Sequence, residues 1–292
     1  MKTKIQDLYH ARVAGVCTVL FMALLVTSCD VIDAPFEETP DNPDTVGVRQ
    51  TVLLEDVTGQ YCGNCPAGNE VIRQLEASYG DRLIVISIHA GNLALPVPPD
   101  YPAEYRTPEG NVLNGTFKNS LIGLPNGQVN RVTVNDGIVL FKDRWPEVIA
   151  GELMRKPDVD LKVVRSYDSA TRTVTLDVDV KYLVPGTADD KIVAMITESK
   201  IIGDQLDYRK TPNHVDNYEF NNVLRTSFNG AWGDSLSTSA IAKGTTITKR
   251  LTYTVPSEKT WTLDNCDVVV YVHRHNADLR ILQARKVSLT GQ

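Results

Sequence analysis

An α/β unit followed by an all-β unit is the fold class that this 292-residue sequence predicts. Three observations carry the prediction. From residue 50 to residue 156, short apolar runs alternate with segments of helical periodicity, the pattern of strands joined through helices. From 157 onward, six β-prone runs succeed one another with turn residues between them and no helical pattern. Ahead of both, residues 30–46 hold Pro35, Pro40, Pro43 and many carboxylates, a composition too polar to form a core.

The N-terminus is an address rather than part of the fold. Lys2, Lys4 and Arg12 precede an uncharged, mostly apolar run of 14 residues, Val13 to Val26. A membrane span needs about 20 such residues; this run has the length of a signal-peptide core. It ends in Val26-Thr27-Ser28-Cys29. A small residue before a Cys at this point resembles the lipobox of bacterial lipoproteins. The resemblance implies cleavage after Ser28 and acylation of Cys29 on sulfur and on the new amino terminus, an attachment made durable by several acyl chains. The alternative is an ordinary secretory signal with a chance Cys. Either way the mature chain enters an oxidising compartment. The expected organisation is therefore a signal peptide over 1–28, a lipidated Cys and tether over 29–48, a first domain over 49–156 with an insertion at 91–121, and a β-sandwich over 157–292.

Formal net charge is -6, and removal of the first 28 residues leaves -8. No run of Lys and Arg clusters along the sequence, so nucleic acid is not an expected partner, nor is an anionic lipid surface. Membrane association is expected through the lipid anchor alone.

Cysteine usage narrows the chemistry. Of five Cys, Cys17 leaves with the signal and Cys29 takes lipid, so Cys62, Cys65 and Cys266 remain. Two are close and one is distant, which suggests one pair and one single thiol. Cys266 precedes the apolar run Val268 to Tyr271 and reads as a small hydrophobe at a strand start.

Within the first domain, Gln50 to Val57 reads as a buried strand and Thr58-Gly59-Gln60-Tyr61 as a turn. Cys62-Gly63-Asn64-Cys65 follows, and Pro66 suits the first turn of a helix over Ala67 to Tyr79. Leu83 to Ile88 is a second buried strand. Strand, CxxC, helix, strand resembles the opening of a thioredoxin-like domain, where CxxC is a redox motif. A disulfide exchanger needs a thiolate near neutral pH, and a helix N-terminus favours one. The resemblance implies that Cys62 is the exposed nucleophile and Cys65 the resolving thiol. It implies a buried acid at Asp56, with Glu55 pointing the opposite way along the strand, and a cis proline at Pro125 beside the disulfide. Tyr61 and the Gly-Asn pair depart from the usual residues. Gln128 to Val132 and Gly137 to Phe141 read as a hairpin, and Lys142 to Met154 as a closing helix. A zinc site would need two further ligands; His89 is a lone candidate and reads as a surface or packed histidine. No cofactor and no metal are expected.

In the second domain Thr173 to Tyr182 alternates strongly, with Val174, Leu176, Val178 and Val180 on one face. Val159 to Val164, Lys191 to Ile202, Thr245 to Val255, Cys266 to Arg274 and Leu279 to Leu289 complete an Ig-like sandwich. Asp204 to Trp232 reads as an irregular excursion carrying His214, Asp216, Tyr218, Arg225 and Trp232. His273 and His275 read as exposed residues of one sheet face.

The signal with its lipobox, the tether, the segment Glu55 to Gly68 around the Cys pair, and a β region with Asn221-Asn222-Val223-Leu224-Arg225 and Gly230-Ala231-Trp232-Gly233 together resemble the Omp28-related outer membrane lipoproteins of the Bacteroidota. The resemblance implies an outer membrane location, facing the periplasm or the cell surface. Two functions stand side by side. One is thiol–disulfide exchange with extracytoplasmic protein thiols or disulfides, using Cys62, Cys65, Asp56 and Pro125. The other is non-enzymatic binding of a surface ligand, in which the Cys62–Cys65 disulfide is structural. A metal carrier using Cys62, Cys65 and a His is a third.

Overall fold

Apolar residues at every position of two seven-residue runs make strands buried on both faces. These are β1 (Val52–Thr58) and β2 (Leu83–His89), paired in parallel. The crossover between them is helix α1 (Cys65–Tyr79). The computed structural model describes residues 47–135 and 137–291; the signal peptide, Cys29 and the tether up to residue 46 lie outside the described residues. After β2 come helices α2 (Pro108–Phe117) and α3 (Asn119–Ile122), strands β3 (Asn126–Val129) and β4 (Leu140–Phe141), and helix α4 (Trp145–Leu153). β3 runs antiparallel to β1, and β4 to β3. The segment 91–121, expected as an insertion without regular structure, thus contains two helices. Thr107 starts α2, its hydroxyl accepting from the Gly110 amide at 3.0 Å, and Pro108 fills the first turn.

The remaining ten strands are β5 (Val159–Asp168), β6 (Thr173–Tyr182), β7 (Asp190–Glu198), β8 (Ile201–Leu206), β9 (His214–Phe220), β10 (Val223–Ser227), β11 (Asp234–Ser235), β12 (Thr246–Thr254), β13 (Cys266–Arg274) and β14 (Ile281–Ser288). The alternation in β6 has the predicted sense, since Val174, Leu176, Val178 and Val180 are fully buried. The excursion expected over 204–232 is instead largely strand. β8 and β9 form a separate antiparallel hairpin, and β10 enters the main sheet.

That sheet has nine strands in the order β14-β13-β7-β10-β2-β1-β3-β4, with β11 on β7. It continues across the boundary expected at residue 156, because β10 runs parallel to β2 through Val223 and Ser87, and the Ser87 amide donates to Asn222 O at 2.7 Å. The described residues all belong to one compact unit. Three apolar layers result. Val52, Leu54 and Val85 pack beneath α1 and α4 with Ile72, Leu75, Trp145 and Ile149. The opposite face of the same strands, with Leu53, Val57, Ile84 and Ile86, packs on Met195, Val269 and Tyr271 from β7 and β13. The far face of β7 and β13 meets the three-stranded sheet β12-β6-β5 across Leu176, Val178, Ile196 and Val270. The α/β layer and one of the two facing sheets are therefore parts of one continuous sheet, and the three-stranded sheet stands apart from it.

Candidate functional site

The turn after β1 carries the Cys pair, and Cys62 and Cys65 form a disulfide with Cα atoms 5.4 Å apart. Asn64 is the residue ahead of α1, and Cys65 is its first helical residue. Cys62 thus lies two residues before the helix cap, where the dipole acts less strongly than inside the first turn. Pro66 follows at the position where its missing N–H costs nothing.

Pro125 stands between α3 and β3, and the Leu124–Pro125 peptide is cis. Its ring packs on α1 at Gly68, where an added Cβ would lie 3.0 Å from Pro125 Cβ and Cγ. A groove of about 280 Å³ runs past it, lined by Gly63, Asn64, Ala67, Pro125, Phe141 and Arg209 among others. Phe141 and, on the neighbouring α3, Leu121 and Ile122 are exposed. The fold therefore brings the Cys turn and Pro125 to one groove, although neither sulfur lines it.

Asp56 is 1% exposed. By strand alternation it shares the face of Val52 and Leu54, which pack against α1. Its register partners are Ser87 in β2 and Gly127 in β3. Neither carboxyl oxygen has a hydrogen-bond partner. Burial pushes its pKa up to about 7, opposed only by Ser87 nearby. Glu55 points to the other face, as alternation requires. There Arg131 donates to it through Nε at 2.7 Å and Nη2 at 2.6 Å, and to Tyr271 Oη at 3.1 Å. The guanidinium of Arg131 also lies over the rings of Trp232, Phe117 and Tyr271, 5.2–5.4 Å from their centroids.

Two segments close over the Cys turn. On one side Tyr61 N donates to Leu93 O at 3.0 Å, and the buried Gln60 amide donates to Tyr101 O and Ala103 O at 3.1 and 2.6 Å. On the other, Gln205 Nε2 donates to Cys62 O at 3.1 Å, Leu206 N to Gln60 O at 2.9 Å and Tyr208 N to Gly63 O at 2.9 Å. The Tyr208 ring rests on Gly63 so closely that a Cβ there would meet it at 2.5 Å. Arg209 ties the same loop to α1 through Glu70 at 2.8 Å and holds buried Asp207 at 2.9 Å, keeping that carboxyl below the usual range. Beneath these contacts Cys62 is 2% exposed and Cys65 1%. The exposed nucleophile implied for position 62 is thus buried in this conformation.

Of the histidines, His89 is packed, one of the two readings of the sequence, and His273 departs from its reading. His89, at the end of β2, is buried between Tyr105 and Phe220 with both ring nitrogens unpartnered. Burial, with Arg225 adding, pulls its pKa down to about 3. His273, expected on an exposed face, is fully buried, with Nε2 against Trp232 O at 3.1 Å. The sheet layers on both sides of β13, which no local pattern reveals, account for the difference. No group of three His, Cys, Asp or Glu suited to a metal occurs among the described residues. Cys266 is the first residue of β13, buried, and its thiol is pushed up to about 12 by burial, with Glu198 adding. The residues that sequence reading missed are Gln205, Tyr208, Arg209 and Arg131; the one local signal was Gly63 inside the Cys pair.

Fold and site together define a mixed α/β and β protein built around a disulfide-closed turn at the end of an interior strand of a continuous sheet. The family model described as "Outer membrane protein Omp28" matches residues 116–292, and the chain belongs to that family. The match begins beyond the Cys pair. Among solved structures, HBP35 of Porphyromonas gingivalis superposes with a TM-score of 0.56 at 16% identity, covering 82% of this chain and 76% of that one, a likeness of fold. A domain of the outer membrane lipoprotein Omp28 from Porphyromonas gingivalis matches 47% of this chain and 93% of its own length at 18% identity, with a TM-score of 0.30. A search of curated proteins returned no match. No helix among the described residues is long and apolar enough to cross a membrane.

Proposed function

We propose that this Omp28-family chain is a lipid-anchored envelope protein, held through Cys29, whose thioredoxin-like part exchanges thiols and disulfides with extracytoplasmic proteins beside an Ig-like sandwich. The carrying observation is Asp56: a carboxyl buried beside α1, with no charged partner and only Ser87 to offset its burial, pushed up to about 7. A structural staple gains nothing from such a group, which costs folding energy, whereas a proton acceptor near neutral pH serves the resolving step. In that reaction the Cys62 thiolate attacks a partner disulfide and one partner thiolate leaves. Cys65, losing its proton toward Asp56, then attacks Cys62 Sγ and releases the second partner thiolate. The Cys pair ends oxidised and the partner disulfide reduced. The groove past Pro125 and Phe141 suits an extended partner segment.

The staple reading draws support from one observation, the 2% exposure of Cys62 beneath the 205–209 loop. Alkylation separates the two. The full chain, reduced with dithiothreitol and treated with iodoacetamide at pH 7, is expected to label at Cys62 faster than an ordinary thiol and to reduce insulin disulfides. Asp56→Asn should slow insulin reduction tenfold or more, toward the roughly 10²–10⁴ that a positioned base supplies, with Cys62 still labelled. Slow labelling at Cys62 together with no insulin reduction leaves the disulfide a staple.

A further inference from the structure

A cavity of about 310 Å³ opens where the described chain begins, at Gly47, on a different part of the molecule from the Cys turn. Its other lining residues are Arg49, Thr51, Asp81, Arg82, Ile84, Arg285 and Lys286. Four cations face one carboxylate in a chain whose formal charge is -6. No cluster is visible along the sequence because the four come from the segment ahead of β1, the turn before β2 and the end of β14. The pairing of the N-terminal segment with β14 assembles them: Thr51 Oγ1 donates to Ala284 O at 2.6 Å, and Gln50 Nε2 to Leu282 O at 3.1 Å.

The charges are poorly spent inside the protein. Arg49 makes no ion pair among the described residues. Arg82 has only neutral partners, the carbonyls of Gln50 and Leu153. Arg285 reaches Asp160 at 3.5 Å and Lys286 reaches Asp267 at 3.7 Å, long and partly exposed pairs of the kind worth little. Asp81 lines the cavity without an ion pair. Three guanidinium groups and an ammonium group around one space offer more donors than the two oxygens of a carboxylate can accept, which suits the tetrahedral oxygens of a phosphate. The volume stands at the lower end of small-ligand sites, about 300 Å³ and up.

We propose that this cavity binds a phosphate group, free or as the ester of a lipid headgroup. The site is independent of the thiol chemistry. Arg49 and Lys286 are exposed, so Arg49→Glu/Lys286→Glu reverses charge without disturbing the core, and an unchanged melting temperature checks the fold. The full chain in a nonionic detergent is titrated with inorganic phosphate by calorimetry at low salt, then repeated in micelles doped with phosphatidylglycerol or phosphatidylcholine. Expected are phosphate binding that weakens with added salt and a loss of affinity of at least tenfold in the double variant. Displacement of phosphate by phosphatidylglycerol micelles, and not by phosphatidylcholine, supports the headgroup ester; phosphate binding indifferent to both supports the free anion. Absence of heat with millimolar phosphate, or equal affinity in the double variant, overturns the proposal.

Discussion

Glu55 and Asp56 are adjacent in β1 and chemically alike, yet the fold treats them oppositely. Glu55 is neutralised by a bidentate guanidinium, while Asp56, in an apolar layer, has no charged partner and only Ser87 beside it. A buried pair contributes little relative to apolar residues but is costly to break, because the survivor is a charge without water. Arg131→Met is therefore expected to lower unfolding free energy by roughly 3–5 kcal/mol, and Glu55→Leu in the same chain to restore most of it, as read from urea unfolding. A loss below 1 kcal/mol would mean that Glu55 is rescued by solvent or by protonation. The strand period in the sequence placed these two carboxylates on opposite faces. It could not identify Arg131, 76 positions away from Glu55, as the partner.

The hairpin of β8 and β9 is the element that decides whether the disulfide can react. Its strands, Ile201–Leu206 and His214–Phe220, are rich in polar residues and only partly buried. Their alternation is consequently too weak to mark them as strands, and the region reads as an excursion. Its hold on the Cys turn rests on four backbone or amide hydrogen bonds, the longest from Gln205 Nε2 to Gly59 O at 3.4 Å, the Tyr208 ring on Gly63, and an exposed Arg209–Glu70 pair worth at most about 1 kcal/mol. Loosening the loop by about 1.4 kcal/mol would raise the open population about tenfold. Tyr208→Ala/Arg209→Ala is thus expected to speed reduction of Cys62–Cys65 by dithiothreitol about tenfold, and Gly63→Ala, which drives the Tyr208 ring off, should act in the same direction. An unchanged rate in both would show that the 205–209 loop does not limit access. Helix α2 was equally hidden, its Thr107-Pro108 start lying in a stretch read as a proline-rich loop.

At the scale of the whole molecule, buried titratable groups on different layers pull stability in opposite senses. His89 and His273, each lowered from 6.5 to about 3, contribute stability that is complete above pH 6.5 and lost as pH falls toward 3. Asp56, raised from 3.8 to about 7, works the other way: its contribution is complete below pH 3.8 and lost as pH rises through 7. Between about pH 4 and 6.5 the histidines outnumber the acid, and these three groups make acid destabilising by about one proton, close to 1.4 kcal/mol per pH unit. Asp56→Asn removes the opposing member, so its urea stability should fall with acid more steeply than the parent's, by about a further 1.4 kcal/mol per unit. Parallel stability curves for parent and variant over that range would show that Asp56 titrates normally.

The resemblance to a thioredoxin-like domain implied the cis proline at Pro125. The sequence by itself determined the strand–Cys turn–helix–strand order and the alternating strands of the sheet around β6, and it carries the N-terminal address as an expectation. Each is written in spacings of a few residues, through the period of two or 3.6 and the chemistry of Gly and Pro. Tertiary structure alone decided that one sheet runs through both halves, that Tyr208 covers the Cys turn, that Arg131 neutralises Glu55, and that Arg49, Arg82, Arg285 and Lys286 meet. Those outcomes depend on packing between residues far apart in the chain, and local periodicity holds no record of which buried faces will find each other.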